Sequence, residues 1–185
     1  MSLQKFLLYF PDNNRLERIW KLAQVDFRRR YYHDRLGILW ALIRPVFEML
    51  IYYVVFTTVF QVQQENYALF LFIGIIIWSG FSEATKRGMG ILSEKLYLIQ
   101  NIQLNKIDLY LAYLSSVFMA MGFNLIAFLT ISGVSGTIPG PQVVWLPVVL
   151  VTFFILTLGF IMILSCLQPF FKDLIHLWDM VLMLG

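Results

Sequence analysis

Arg44 and Glu48 stand four positions apart inside an otherwise apolar run, residues 37–60. On a helix that spacing brings both side chains onto one face. Charges at membrane depth are costly and ordinarily face a protein interior or water. Three uses are open to the pair: a structural ion pair, a polar surface on a transport path, or an interfacial placement with Arg44 reaching back to the headgroups. Glu83, Lys86 and Arg87 offer a second network of the same kind, for which a purely structural role is the plainer reading. The third source of chemistry is basic. Arg15, Arg18, Lys21, Arg28 and Arg29 share residues 15–31 with Leu16, Ile19, Trp20, Ala23, Phe27 and Tyr31, which recur at spacings of three and four. A positive face beside an apolar stripe suits anionic lipid headgroups. The competing reading is a basic flank that only sets topology. Asp26 and Arg30 have the spacing of an i,i+4 pair, and Asn13 or Asn14 can cap the helix.

Other chemistry is missing from the sequence. It contains no GxxxxGK[ST] loop and no HExxH. Cys166 has no second cysteine to pair with, which excludes a disulfide scaffold. His33 and His176 are far apart and sit in no metal motif, and no carboxylates pair in glycosidase fashion. No cofactor or metal is therefore expected on this chain. The expectation is a transport subunit, not an enzyme.

The elements that position these residues follow from composition. Charged residues make up 14% of the 185, against roughly 25% in soluble domains. Hydrophobic residues reach 59% and aromatics 17%, with a mean hydropathy of +0.74. A soluble globule of this size cannot bury so much apolar surface, and disorder, collagen and coiled coil are excluded by the same figures. The fold class expected is an all-α integral membrane protein. Helices are required because the segments lack period-2 alternation and the backbone must satisfy itself in lipid.

Four spans are expected at about 37–60, 67–92, 107–131 and 143–167, each near the roughly 20 residues that cross a bilayer. A partial fifth at 174–185 is too short to cross, so the chain ends in mid-pattern, as a fragment would. Residues 1–36 form an N-terminal region with the amphipathic helix, and 37–185 the transmembrane domain. All 14 basic residues fall in 1–44, 83–106 or at Lys172, which places these regions and the N-terminus on the cytoplasmic side. Topology accounts for the basic residues, and no nucleic acid is needed. Asn124 inside the third span is expected to hydrogen-bond across helices. Asp179 suits either an inner end or a buried position. Trp40, Tyr52, Tyr53, Tyr67, Trp78, Tyr110, Tyr113, Trp145 and Trp178 lie near segment ends. They read as an interfacial belt or, for some, as surfaces on which sugars stack.

Between the second and third spans, Ser93–Asn101 can form a short helix with Leu92, Leu96 and Ile99 on one side. Glu94 and Lys95 would then be open to a soluble protein. A motor subunit could push on such a helix, and a simple loop connection is the equal alternative.

Residues 20–45, WKLAQVDFRRRYYHDRLGILWALIRP, resemble the entry into the first span of the permeases of ABC-2 type polysaccharide exporters. Gly74–Trp78, LIQNIQLNK at 98–106 and PFFKD at 169–173 are similar to that family's second span, its coupling segment and its turn before span five. Gln103-Leu104-Asn105 departs from it, since the family commonly has a proline near 104. The resemblance implies six spans in a full chain, with four and part of a fifth here. It implies a homodimer joined to two copies of a nucleotide-binding ATPase that carries the ATP and Mg. The cargo would be an undecaprenyl-type lipid-linked glycan of O-antigen or capsule type, crossing the bacterial cytoplasmic (inner) membrane.

By the same resemblance Trp20, Asp26, Arg28, Arg29, Arg30, Tyr31, Arg35 and Trp40 would surround the substrate entrance. Arg28, Arg29, Arg30 and Arg35 would give that entrance a rim for a pyrophosphate. Arg44, Glu48, Tyr52 and Tyr53 would line the path. Glu94, Lys95, Tyr97, Gln100 and Asn101, in a coupling segment at about 93–101, would touch the ATPase. Rival expectations are a teichoic acid exporter, an ABC-2 exporter of a drug or lipid, a membrane-embedded transferase and a non-transporting adaptor.

Overall fold

A computed structural model describes residues 15–31, 37, 39–61, 66–95, 105–134, 136 and 144–184. Among these residues all regular structure is helical. The elements are α1 (Arg15–Tyr31), α2 (Leu39–Thr58), α3 (Tyr67–Met89), α4 (Ile91–Glu94), α5 (Lys106–Val134), α6 (Leu146–Leu167) and α7 (Leu174–Met183). Four of them, α2, α3, α5 and α6, are long and apolar enough to cross a membrane. The chain is a multi-span membrane protein built as an α-helical bundle.

Helix α3 is the hub, packing against α2, α5, α6 and α7. Its residues Phe72 and Ile76 meet Met121 and Leu125 of α5, with Val46 and Met49 of α2 against them. Nearer the other end, Ala84 joins Ile91, Tyr110, Tyr113, Leu114, Val117 and Ile161. Lipid is as apolar as these side chains, so close packing and hydrogen bonds must hold the spans together. The Tyr113 hydroxyl donates to the Glu83 carbonyl at 3.1 Å, and the Tyr110 and Ser165 hydroxyls join α5 to α6. The Trp178 indole donates to Thr85 Oγ1 at 3.0 Å, tying α7 to α3. Asn124 corrects the expectation of a cross-helix bond. Its amide donates to Ala120 of its own helix at 3.3 Å, and its buried Oδ1 has no partner among the described residues.

Pro45 lies within α2 and neither ends it nor starts it. Its missing N–H removes one helical hydrogen bond, yet the apolar run on both sides keeps the segment helical. Helix α2 is the least covered span, with only Pro45 fully buried.

Gly88 marks the tightest of the described glycine positions. A Cβ there would sit 2.7 Å from Cγ2 of Ile161 and 2.9 Å from Cγ1. Both atoms are held near the α6 backbone, so the helices must separate to admit a methyl. Gly88→Ala should destabilise the α3–α6 contact by about 1–3 kcal/mol, the usual range for overpacking. Gly74 has nothing within 4 Å of its would-be Cβ, so Gly74→Ala should be neutral. Melting of the two variants in detergent checks the contrast.

Candidate functional site

Helix α1 forms because apolar residues recur on one side of a run rich in helix formers. Glu17 in its first turn and Arg28–Arg30 in its last complement the helix dipole. It packs against the spans, chiefly α5. Arg15 reaches Asp108 near the start of α5, while Phe27 stacks on Phe123 four turns further along.

The face that α1 buries is not its apolar stripe. Leu22 and Ala23 are buried, and Arg15, Asp26 and Arg30 all reach partners on this side. At 100° per residue the buried face is rotated about a fifth of a turn from the stripe. The far edge of the stripe is left uncovered, with Leu16 76% and Trp20 52% exposed.

Three ion pairs hold the buried face. Arg15 Nη2 lies 2.7 Å from Asp108 Oδ1, and the Asp108 side chain is 2% exposed. Arg30 Nη1 lies 3.1 Å from Glu83 Oε1 with 8% of its side chain exposed. The alignment there falls short of a hydrogen bond. The guanidinium also sits 5.7 Å from the Tyr113 ring centre, within cation–π range. Lys95 pairs with Asp26, both largely buried. Burial opposes the charge on Arg30, but Glu83 outweighs it with help from Tyr113 and Tyr31, so its pKa is raised. Burial pushes the neighbouring Tyr31 phenol up as well, with Glu83 adding to the shift against Arg30 and Arg87. The site therefore contains a fixed cation and a neutral phenol.

These pairs replace the local one suggested by sequence spacing. Asp26 bonds Lys95 and Arg30 forms an ion pair with Glu83, so Asp26 and Arg30 are not each other's partners. Lys95 is turned inward and is not the open side chain expected beside Glu94, which is exposed. The Arg30 side chain likewise is turned inward, while Arg28 and Arg29 are exposed. Within the second network, Arg87 lies 3.9 Å from Glu83, but Lys86 pairs with Asp179 at 2.9 Å. Sequence reasoning missed Asp108, Glu83 and Tyr113 as partners of α1. The signal available was an acidic residue at the start of a span.

The four residues expected on a transport path all lie on α2. Arg44 Nε donates to Glu48 Oε1 at 3.1 Å, with 81% of the Arg44 side chain exposed. Tyr52 follows one turn on, and its ring begins a series with Phe56 at 6.5 Å and Phe60 a further 5.2 Å along. Tyr53 is exposed on the adjoining face, and Trp40 is exposed at the helix start. Arg35, Tyr97, Gln100 and Asn101 lie outside the described residues, as does most of the expected 93–101 helix, of which α4 contains the start. Among the described residues no group of three His, Cys, Asp or Glu side chains is placed to hold a metal ion.

Residues 17–185 match the family profile described as ABC-2 type transporter. The chain is 28% identical over 156 residues to an O-antigen export system permease protein RfbA of Myxococcus xanthus, covering 84% of this chain and 60% of that one. It is 30% identical over 166 residues to a Klebsiella pneumoniae protein of the same name, covering 83% and 60%. A second Klebsiella pneumoniae RfbA is 29% identical over 164 residues with the same coverage. The chain thus spans about 60% of the length of the curated relatives it matches.

Proposed function

The chain belongs to the ABC-2 type transporter family, and on that premise we propose that it is the permease of an exporter of lipid-linked polysaccharide. The cargo is of O-antigen or capsule type, and the path crosses the bacterial inner membrane. The observation that carries this reading is the similarity to permeases named for O-antigen export along 83–84% of the chain. In this reading ATP hydrolysis, with its Mg, belongs to a separate chain, in keeping with the lack of a GxxxxGK[ST] loop in these 185 residues. Two such ATPase subunits and a second copy of the permease complete the transporter.

In this reading the charged end of the bundle faces the cytoplasm, in line with the basic residues concentrated there. The exposed Arg29 meets the pyrophosphate of the arriving lipid, to which a guanidinium offers paired donors. Arg30, Asp26 and Lys95 position α1 instead of touching cargo. The exposed stripe of Arg44, Glu48, Tyr52 and Tyr53 on α2 faces the passage, where aromatic faces suit sugars and the ion pair keeps two charges satisfied.

The test is purification of the full-length protein from its native membranes in mild detergent, with mass spectrometry of everything that comes with it. The expected result is a stoichiometric soluble subunit bearing a GxxxxGK[ST] loop. Loss of the permease should then leave lipid-linked glycan on the inner leaflet. A well-behaved complex containing no ATPase would overturn the assignment.

A further inference from the structure

Helix α1 and span α5 leave a groove of about 320 Å³ between them. It is lined by Gln24, Phe27 and Arg28 of α1 and by Met119 and Phe123 of α5. That volume lies at the low end of the roughly 300–1,000 Å³ typical of ligand sites. Its walls are of two kinds. Phe27, Met119 and Phe123 make an apolar floor, with the two phenylalanine rings stacked 5.9 Å apart. Gln24 and Arg28, both exposed, make a polar lip. Arg15, Lys21, Arg30 and Lys95 each have a carboxylate partner. Among the described residues Arg28 has none. The groove adjoins exposed apolar surface on both helices, including Trp20 at 52% and Ile126 at 62%.

The level of the groove in the bilayer follows from the length of α5. Its 29 residues extend about 43 Å, some 13 Å more than a hydrocarbon core needs. Both of its charged residues, Lys106 and Asp108, lie in the first turn, and the hydroxyls of Tyr110, Tyr113, Ser115 and Ser116 follow within the first eleven positions, while Asn124, Thr130 and Ser132 are spread over the remaining eighteen. Counting about 20 residues back from Val134 puts the boundary near Ser115. Met119 is then one turn inside the apolar region, and the Arg28 guanidinium can reach the headgroups.

We infer that this groove holds one anionic phospholipid of the surrounding bilayer. An acyl chain lies against Phe27, Met119 and Phe123, and the phosphate accepts hydrogen bonds from Arg28. Arg29, the next residue on α1 and also exposed, adds positive charge that favours a net negative headgroup over a zwitterionic one. The bound lipid fills the space that the rotation of α1 leaves open beside Phe123. The inference requires only that the chain spans a membrane, so it stands or falls separately from the identity of the exported cargo.

The full-length protein, purified in its native complex and stripped of lipid by detergent, is titrated with phosphatidylglycerol and separately with phosphatidylcholine. Bound lipid is counted by native mass spectrometry. Phosphatidylglycerol should bind at one tight site per copy, more strongly than phosphatidylcholine. Arg28→Gln should weaken that site about fivefold, the scale of one basic residue at an anionic surface. Arg29→Gln, whose side chain does not line the groove, should weaken it much less. Arg28 is exposed and makes no ion pair among the described residues, so its variant should melt with the wild type. Equal binding of the two lipids, equal losses in the two variants, or unchanged binding in Arg28→Gln would each overturn the proposal. So would identification of a polyprenyl pyrophosphate as the lipid that co-purifies in the groove, which would make it the cargo's entry port.

Discussion

Glu83→Ala is expected to destabilise the protein more than Arg30→Ala, although both break the same ion pair. The asymmetry comes from what each change leaves behind. The Arg30 side chain is 8% exposed and Glu83 33%. Removing Glu83 strands a nearly dry guanidinium supported only by the neighbouring Tyr113 ring and Tyr31 phenol. Breaking a buried pair from one side typically costs about 3–5 kcal/mol, because an uncompensated charge remains. Removing Arg30 leaves a carboxylate that keeps a third of its surface in solvent and has Arg87 3.9 Å away. Its cost should be nearer 1–2 kcal/mol. Replacing both by methionine should recover much of the Glu83→Ala loss, since apolar side chains of similar volume often match a buried pair in stability. Melting of the four proteins in one detergent checks the order. Equal losses from the two single changes would show that Arg30 reaches water more freely than its burial indicates.

The same residues show what the sequence makes legible and what it hides. Local features were readable from periodicity and length. The helix expected over 15–31 is found as Arg15–Tyr31. The spans expected at 37–60 and 143–167 appear as Leu39–Thr58 and Leu146–Leu167. A span is an apolar run of fixed length, so its position is written in consecutive residues. The direction in which α1 turns is not local. Its stripe of Leu16, Ile19, Trp20, Ala23, Phe27 and Tyr31 marks the side that avoids water, but in a membrane protein lipid satisfies that side as well as protein does. What decides the packed face is the set of charges that lipid cannot satisfy. Arg15, Asp26 and Arg30 must find partners, and those partners lie far away in the chain, 93 residues on for Arg15 and 69 for Asp26. Spacing rules see only the i,i+4 neighbour and so join Asp26 to Arg30. On α2, by contrast, the Arg44–Glu48 pair was legible because it is local and forms as the spacing says.

Reversing either charge of the Asp26–Lys95 pair is expected to do more damage than neutralising it, and reversing both to repair most of that damage. The pair links α1 to the turn after α4, which begins the connection to α5. The two side chains keep 13% and 16% of their surface, so water screens them poorly. Asp26→Lys places two ammonium groups where one bond now forms, and Lys95→Asp places two carboxylates there. Like charges at such a site repel where opposite charges attracted, so each reversal changes the interaction by more than loss of the bond alone. Asp26→Asn and Lys95→Met remove the attraction without adding repulsion and should cost less. The double reversal, Asp26→Lys with Lys95→Asp, restores opposite charges over a similar span, and the recovery measures the direct coupling of the two positions. Melting in detergent reads the stability. If Lys95 acts by anchoring α1, ATPase association in the full complex should fall with each reversal and return with the swap. If Lys95 contacts the ATPase itself, the swap should restore the melting temperature and leave association impaired.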